Sequence, residues 1–463
     1  MNPFSQHTIA AIATPIGIGS ISVIRISGRD SFPIINSVFK GSINLLNASS
    51  HTIHYGVIKD TNGSSIVDTV LVSLFRSPNS YTGEDVIEVS SHGGYFVAQK
   101  ILSLIYSAGA IPAKPGEFTQ RAFLNGKLDL AQAEAVADII HARSEKSHKA
   151  SVLQLSGRLS NYVNELRNQL LNLCSLLELE LDFSQEGIEL ASREDVIKKI
   201  ESVETEIIKL SESYSSGKLV REGVRVALIG KPNAGKSSLL NILLDEERAI
   251  VSEIAGTTRD VIEESIILDG IEFVFFDTAG LRESFDTIEQ EGIRRTLHSL
   301  KQADVALFII DSSHKVSQKD ILLLEQINSS IDKLVPILTC INKIDIKDES
   351  FSIADLDIKH SVEISCKLHS GIDHLKKELI ALSIPNHDST SSSIVITNLR
   401  HKKALTSALN SLQKAKETIS NGLGGDFAAV DLRDSLNYLG EIIGITTPDD
   451  ILNHIFGKFC IGK

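Results

Sequence analysis

Hydrophobic and polar positions follow different periods in successive stretches of the chain. Up to about residue 120, β-branched runs such as ISVIRIS (21–27), VDTVLVSLF (67–75) and DVIEVSS (85–91) alternate with Gly/Pro turns, and one helical stretch follows at FVAQKILSLIYSAG (96–109). This pattern predicts an α+β unit. From about 120 to 215 the strand signals vanish. Leu159, Val163, Leu166, Leu170, Leu173 and Leu177 recur every three or four residues and mark one long helical seam. Around 223 strands return as VRVALIG, ESIILDG, EFVFFDTAG, DVALFIIDSS, KLVPILTCINKID and HSVEISCK, separated by helical or polar stretches. That alternation predicts a doubly wound α/β domain. A serine-rich linker, HDSTSSS (387–393), precedes residues 395–463, which return to helical composition. The expected layout is therefore multidomain: an α+β N-terminal domain (1–121), a discontinuous α-helical bundle (122–222 and 384–463), and an α/β domain (223–383) inserted into it. No internal repeat is visible.

Composition narrows the setting. A chain of 463 residues exceeds one ordinary core, and three domains fit its length. Hydrophobic residues make up 42%, and no run approaches the roughly 18 apolar residues of a membrane span. The start, MNPFSQHTIA, lacks a basic and an apolar signal region, so a cytoplasmic, non-membrane protein is expected. Cys174, Cys340, Cys366 and Cys460 lie far apart without CxxC spacing, which predicts neither a disulfide framework nor a zinc site. The net charge of −13 excludes a protein coated with nucleic acid and leaves any RNA contact local or shared with a partner.

Chemistry concentrates in the α/β domain. Gly230 to Ser237 reads GKPNAGKS, the G-x-x-x-x-G-K-[ST] phosphate loop, directly after a strand and before the helical run SSLLNILL. Asn233, Ala234, Gly235, Lys236, Ser237 and Ser238 are expected to hold the phosphates. Lys236 reaches the β/γ oxygens and the Ser237 hydroxyl ligates Mg²⁺. Asp277-Thr278-Ala279-Gly280 ends a strand where a carboxylate can hold the Mg²⁺ water shell and an amide can sense the γ-phosphate. Base choice falls to Asn342-Lys343-Ile-Asp345, because one carboxylate accepts from both N1–H and the exocyclic amine of guanine, and adenine offers neither. Ser365-Cys366-Lys367 supplies the last guanine-side loop. Ser252, Glu253, Ile254, Ala255, Gly256, Thr257 and Thr258 form a polar loop suited to the first switch, with Thr258 as a second Mg²⁺ ligand. Leu281 follows DTAG, so the water-positioning Gln of many GTPases is absent there. These ordered elements predict GTP as the ligand.

GKPNAGKSSLLN, EIAGTTRD, DTAGLR and NKID together resemble the TrmE–Era–Obg-like GTPases. SYTGEDVIEVSSHGG, PGEFTQRAFLNGKLDLAQAEAVADII and the terminal FCIGK resemble, more narrowly, the MnmE (TrmE) family of tRNA modification GTPases, from near residue 8 to Lys463. The resemblance implies a folate-binding, dimerising N-terminal domain and a homodimer that forms a heterotetramer with an FAD-carrying flavoprotein of the MnmG/GidA type. It further implies that the pair installs an aminomethyl or carboxymethylaminomethyl group at C5 of the tRNA wobble uridine. Asn233, Ser252, Ile254 and Thr257 match the family's K⁺ ligands, and a K⁺ there supplies the positive charge that an arginine finger gives elsewhere. Glu289 matches its water-orienting acid and is the expected catalytic group beside Lys236. Arg25, Glu88, Lys127 and Lys463 match its 5-formyl- or methylene-tetrahydrofolate site, with Cys460 as a candidate participant in one-carbon transfer. The alternative is an RNA-binding ribosome-assembly switch, which predicts an RNA-binding module after the α/β domain; only helices and the basic segment Arg400-His-Lys-Lys403 stand there. A purely structural dimeric scaffold would not need the nucleotide motifs.

Overall fold

A computed structural model of the chain describes residues 7–60, 65–182, 192–247, 263–277, 300, 302–330, 335–354, 356–384, 394–422 and 425–463. They fall into two compact units. The first comprises Met1–Ala137, Gln154–Leu190 and Gly424–Lys463, and the second comprises Asp138–Leu153 and Ala191–Leu423.

The first unit is built on seven strands: β1 (Ile9–Ile12), β2 (Ile21–Ser27), β3 (Phe39–Gly41), β4 (Thr52–Lys59), β5 (Ile66–Phe75), β6 (Val86–His92) and β7 (Ile111–Pro112). Their order is β3-β4-β5-β6-β2-β1-β7. Strand side chains alternate between faces, so Ile24, Ile26, Val72, Leu74, Ile87 and Val89 pack against Phe32, Ile35, Ile101 and Ile105 of the helices Ser31–Val38 and Tyr95–Ser107. The same pleat sends Arg25 and Glu88, direct register partners, to the opposite face. The predicted seam is real: Leu159, Val163, Leu166, Leu170, Leu173 and Leu177 are all buried on the helix Arg158–Asp182. It packs against Gly425–Ile443 through Ala428, Leu432, Leu439 and Ile442. The helix Asp449–Phe456 then closes a small core of Leu130, Ala133, Leu452, Phe456 and Phe459.

In the second unit, β8 (Val224–Gly230), β9 (Glu263–Leu268), β10 (Ile271–Asp277), β11 (Val305–Asp311), β12 (Ile337–Asn342) and β13 (His360–Glu363) form a sheet of order β13-β12-β11-β8-β10-β9. Only the β9–β10 pair among these is antiparallel. Strands covered on both faces read as continuous apolar runs, and β11 is buried from Val305 to Ile310. Val226, Leu228, Leu307, Ile309 and Cys340 meet Leu239 and Leu375 on one side. Ala227, Ile229, Ala306, Phe308 and Ile310 meet Leu324 and Ile327 on the other. The helix Arg193–Glu212 starts at Ser192, whose hydroxyl accepts the Asp195 N–H at 3.2 Å, and packs against Leu399–Ser420. The helical segments flanking the inserted α/β domain are thus shared between the two units. Among the described residues no helix is long and apolar enough to cross a membrane.

Candidate functional site

The six-stranded sheet reverses its order at β8, where the chain leaves for β9 and β10 on one side and reaches β11 on the other. Such a switch point opens a crevice beyond the carboxyl ends of the strands. Gly230, Asp277, Asp311 and Asn342 end the four strands there. Motifs far apart in sequence therefore share one edge.

From Gly230 the chain turns through Asn233 at φ +64° and Gly235 at φ +104° before the helix Lys236–Glu247 begins. A Cβ on Gly235 would lie 2.1 Å from Asn342 Nδ2, and one on Gly230 would lie 2.5 Å from Ile309 O. Neither position has room for a side chain. The first amides of a helix lack intrahelical acceptors and carry the positive end of its dipole, so this cradle fits a phosphate chain. Lys236 is buried, with Nζ donating to Gly230 O at 2.8 Å and Lys231 O at 2.9 Å. Ser237 and Ser238 are exposed at the start of the helix, where a hydroxyl is available to a Mg²⁺ ion.

On the base side, Asn342 is buried and its carboxamide is consumed by the framework. Nδ2 donates to Ala234 O at 2.9 Å, and Oδ1 accepts from the amides of Lys343 at 2.8 Å and Cys366 at 3.2 Å. One side chain thereby ties all three loops together. Lys343 adopts φ +66° and its ammonium is 2.6 Å from Asp311 Oδ2. Asp345 Oδ1 accepts the buried Ser365 hydroxyl at 2.6 Å, and each carboxylate oxygen has two lone pairs, so acceptor capacity remains for a guanine edge. Burial pushes the Cys366 thiol up against the lowering effect of its contact with Asn342. Lys367 is exposed.

A second cluster lies in the other unit. Arg25 sits inside β2, which continues to Ser27. Its Nε donates to Glu88 Oε1 at 2.8 Å, and Nη1 donates to Gly462 O at 3.4 Å. The guanidinium carbon lies 5.1 Å from the Tyr81 ring centroid and 5.7 Å from that of Phe118. The chain's end is fastened here, since Phe118 N donates to Lys463 O at 3.2 Å and Gly116 N to Cys460 O at 3.4 Å. Burial, then the Arg25 charge, hold the Lys463 ammonium below the usual lysine range, opposed by Glu88. Lys127 stands on the surface, its Nζ donating to Pro78 O at 3.1 Å. Cys460 is exposed.

A family model described as the MnmE helical domain matches residues 130–460, and one described as the N-terminus of GTP-binding protein TrmE matches residues 8–127. The chain is 43% identical over 465 residues to the tRNA modification GTPase MnmE of Carboxydothermus hydrogenoformans, covering 99% of this chain and 100% of that one. The chain belongs to the MnmE (TrmE) family. The tRNA modification GTPases MnmE of Cytophaga hutchinsonii and Salinibacter ruber are each 44% identical to it, over 98% of this chain and 98% of the former and over 99% of this chain and 99% of the latter. As a family member with this loop geometry, the chain is a GTP hydrolase. Several expected site residues lie outside the described residues: Ser252, Glu253, Ile254, Ala255, Gly256, Thr257, Thr258, Thr278, Ala279, Gly280, Glu289, and the side chain of Asp277.

Other residues at this edge escaped the sequence reading. Asp311 accepts from Lys343 and from the Ser313 amide and hydroxyl at 2.9 and 2.6 Å. Burial pushes its carboxyl up, but the bonds from Lys343 and Ser313 outweigh this and hold it below the usual range. A lowered folded pKa adds stability above the unfolded value of about 4, and that stability is lost as pH falls through the folded value. Asp311→Asn is therefore expected to lower the melting temperature at pH 7 and to flatten its decline below about pH 4. An unchanged acid slope would remove Asp311 from the acid response.

Proposed function

We propose that the chain is a K⁺-dependent GTP hydrolase that works with an MnmG/GidA-type flavoprotein to modify C5 of the tRNA wobble uridine, using a tetrahydrofolate one-carbon donor. The carrying observation is the convergence of Arg25, Glu88 and the terminal Gly462-Lys463 on one sheet face of the first unit, while the phosphate cradle belongs to the second unit. Two chemistries thus have two sites. At the nucleotide, Gly235, Lys236, Ser237 and Ser238 hold phosphate and Mg²⁺, Asp345 with Ser365 reads the base, and Asn342 keeps the loops in register. Thr258 completes the Mg²⁺ shell, Glu289 orients water, and Asn233 with Ser252, Ile254 and Thr257 holds K⁺. In the first unit, Glu88 accepts from a pterin edge, and Arg25, Lys127 and Lys463 offer charge to its polar oxygens and glutamate tail. Bound folate supplies the carbon unit, and Cys460 stands at the surface of the same terminal segment. The protein acts in the cytoplasm as a homodimer, in a heterotetramer with the flavoprotein. Mass spectrometry of tRNA nucleosides from a deletion strain tests the reading; unchanged wobble uridines would refute it.

The metal assignment has its own test. Initial rates of GTP hydrolysis are expected to rise by on the order of tenfold or more when Na⁺ is replaced by K⁺, because a cation against the phosphates stabilises charge that develops in the transition state. Asn233→Ala should erase that difference and leave GTP affinity largely intact, since Lys236 and the loop amides remain. Equal wild-type rates in the two salts would exclude K⁺ from the mechanism.

A further inference from the structure

We infer that Lys231 and Asp320 are positioning residues for the nucleotide, joined across the segment 311–320 that braces the phosphate loop against the guanine loop. The inference rests on the GTP-binding reading of this edge and goes beyond it, because neither side chain is aimed at phosphate or base. Lys231 is the second residue of the phosphate loop. Its ammonium lies 2.6 Å from Asp320 Oδ2 and also contacts the Ser317 hydroxyl. Asp320 is buried, and the same oxygen accepts from Ser317 N at 3.0 Å and Ser317 Oγ at 2.9 Å. The acceptor is therefore held by the first turn of the helix Gln318–Ser330, and its position is set before Lys231 arrives. The other end of the segment is tied as firmly. Asp311 holds Lys343, and both the amide and the hydroxyl of Ser312 donate to Asn342 O, at 2.9 and 2.8 Å.

Asn342 Nδ2 bonds Ala234 O directly, so the two nucleotide loops and segment 311–320 close a triangle, and the Lys231–Asp320 pair is its third side. The backbone of Lys231 gives that side a use. Its carbonyl accepts Lys236 Nζ at 2.9 Å and Ala234 N at 3.3 Å. Anchoring the side chain fixes the carbonyl on which Lys236 rests until phosphate takes its ammonium. A loop already in its binding shape loses little conformational freedom when nucleotide enters, whereas a loosened loop must be ordered on each encounter. This preorganisation serves GDP and GTP alike.

Asp320→Asn and Lys231→Met are each expected to raise the Kd for GDP and the KM for GTP together by about tenfold, about 1.4 kcal/mol. GDP release, followed by stopped-flow with a fluorescent analogue, should quicken while kcat at saturating GTP changes much less. Lys231→Arg should recover part of the affinity, because it keeps the charge but presents a planar fork in place of a compact ammonium. The double variant should cost no more than the worse single one. Wild-type protein that bound no guanine nucleotide would overturn the reading of the site itself. Wild-type binding with folded variants of unchanged Kd and KM would overturn this inference alone, as would a fall in kcat at constant KM. Should Asp320→Asn fail to fold, Lys231→Met carries the test, since the Lys231 side chain is one-third exposed and its loss strips the buried Asp320 of only one of several donors.

Discussion

Asp345→Asn is expected to exchange the base preference of the enzyme, with GTP turnover at low concentration falling by on the order of 10³-fold or more and xanthosine triphosphate becoming the better substrate. A site built around a buried polar partner rejects a ligand lacking the complement far more strongly than an apolar pocket rejects a misfit. The structure adds direction to this. The Ser365 hydroxyl is buried and donates to Asp345 Oδ1 at 2.6 Å. In the variant that hydroxyl would select the amide oxygen, turning the amide N–H₂ toward the base. A donor would then face the exocyclic amine of guanine, leaving two donors opposed, whereas xanthine offers a carbonyl at the same place. Ser365→Ala in the Asp345→Asn background should weaken the switch, because the amide would then be free to flip. Steady-state kinetics with both nucleotides decide the matter, and a folded Asp345→Asn enzyme that keeps its preference for GTP would displace Asp345 from the base pocket.

The parts of this site that were legible in the sequence are local. GKPNAGKS carries its own turn glycines and its own helix start, and each apolar strand announces the loop that follows it. Contacts that cross the sheet edge leave no such trace. Asn342 reaches Ala234 across 108 residues, and nothing in NKID states that its Asn is spent on the framework instead of the ligand. Lys231 and Asp320 were likewise invisible as a pair, because 89 residues separate them. In the first unit the strands ISVIRIS and DVIEVSS were readable, but their register was not, and register alone sets Arg25 beside Glu88. The short helix Ser31–Val38 went unread; Pro33 lies in its first turn, where Pro removes an amide that has no helical partner. Helix pairing was unreadable for a different reason. All the helices share one period, and apolar spacing does not say that Leu399–Ser420 takes Arg193–Glu212 while Gly425–Ile443 takes Arg158–Asp182.

That register makes Glu88 the sharpest probe of the proposed folate site. Glu88→Gln is expected to weaken tetrahydrofolate binding by about tenfold or more and to abolish wobble-uridine modification, while K⁺-stimulated GTP hydrolysis stays within about twofold of wild type. Gln keeps the volume and one acceptor, and its amide can turn that oxygen toward either Arg25 Nε or the ligand. Whichever it serves, the other donor faces an N–H₂ group and goes unmatched, at a cost of up to about 1–3 kcal/mol where that donor is buried. Arg25 itself is not left adrift, because its guanidinium keeps Gly462 O and its place over the Tyr81 and Phe118 rings. The fold should therefore survive, which thermal melting checks. Loss of the carboxylate also removes the charge that favours a protonated Lys463, so its ammonium, already depressed by burial and by Arg25, should titrate lower still. Folate affinity, measured by calorimetry across pH, should then fall at the alkaline end earlier in the variant than in wild type, if Lys463 contacts the ligand. Wild-type affinity in a folded Glu88→Gln protein would move the folate site away from this sheet face. Loss of GTP hydrolysis together with folate binding in a folded variant would instead mean that the two sites are coupled through Glu88.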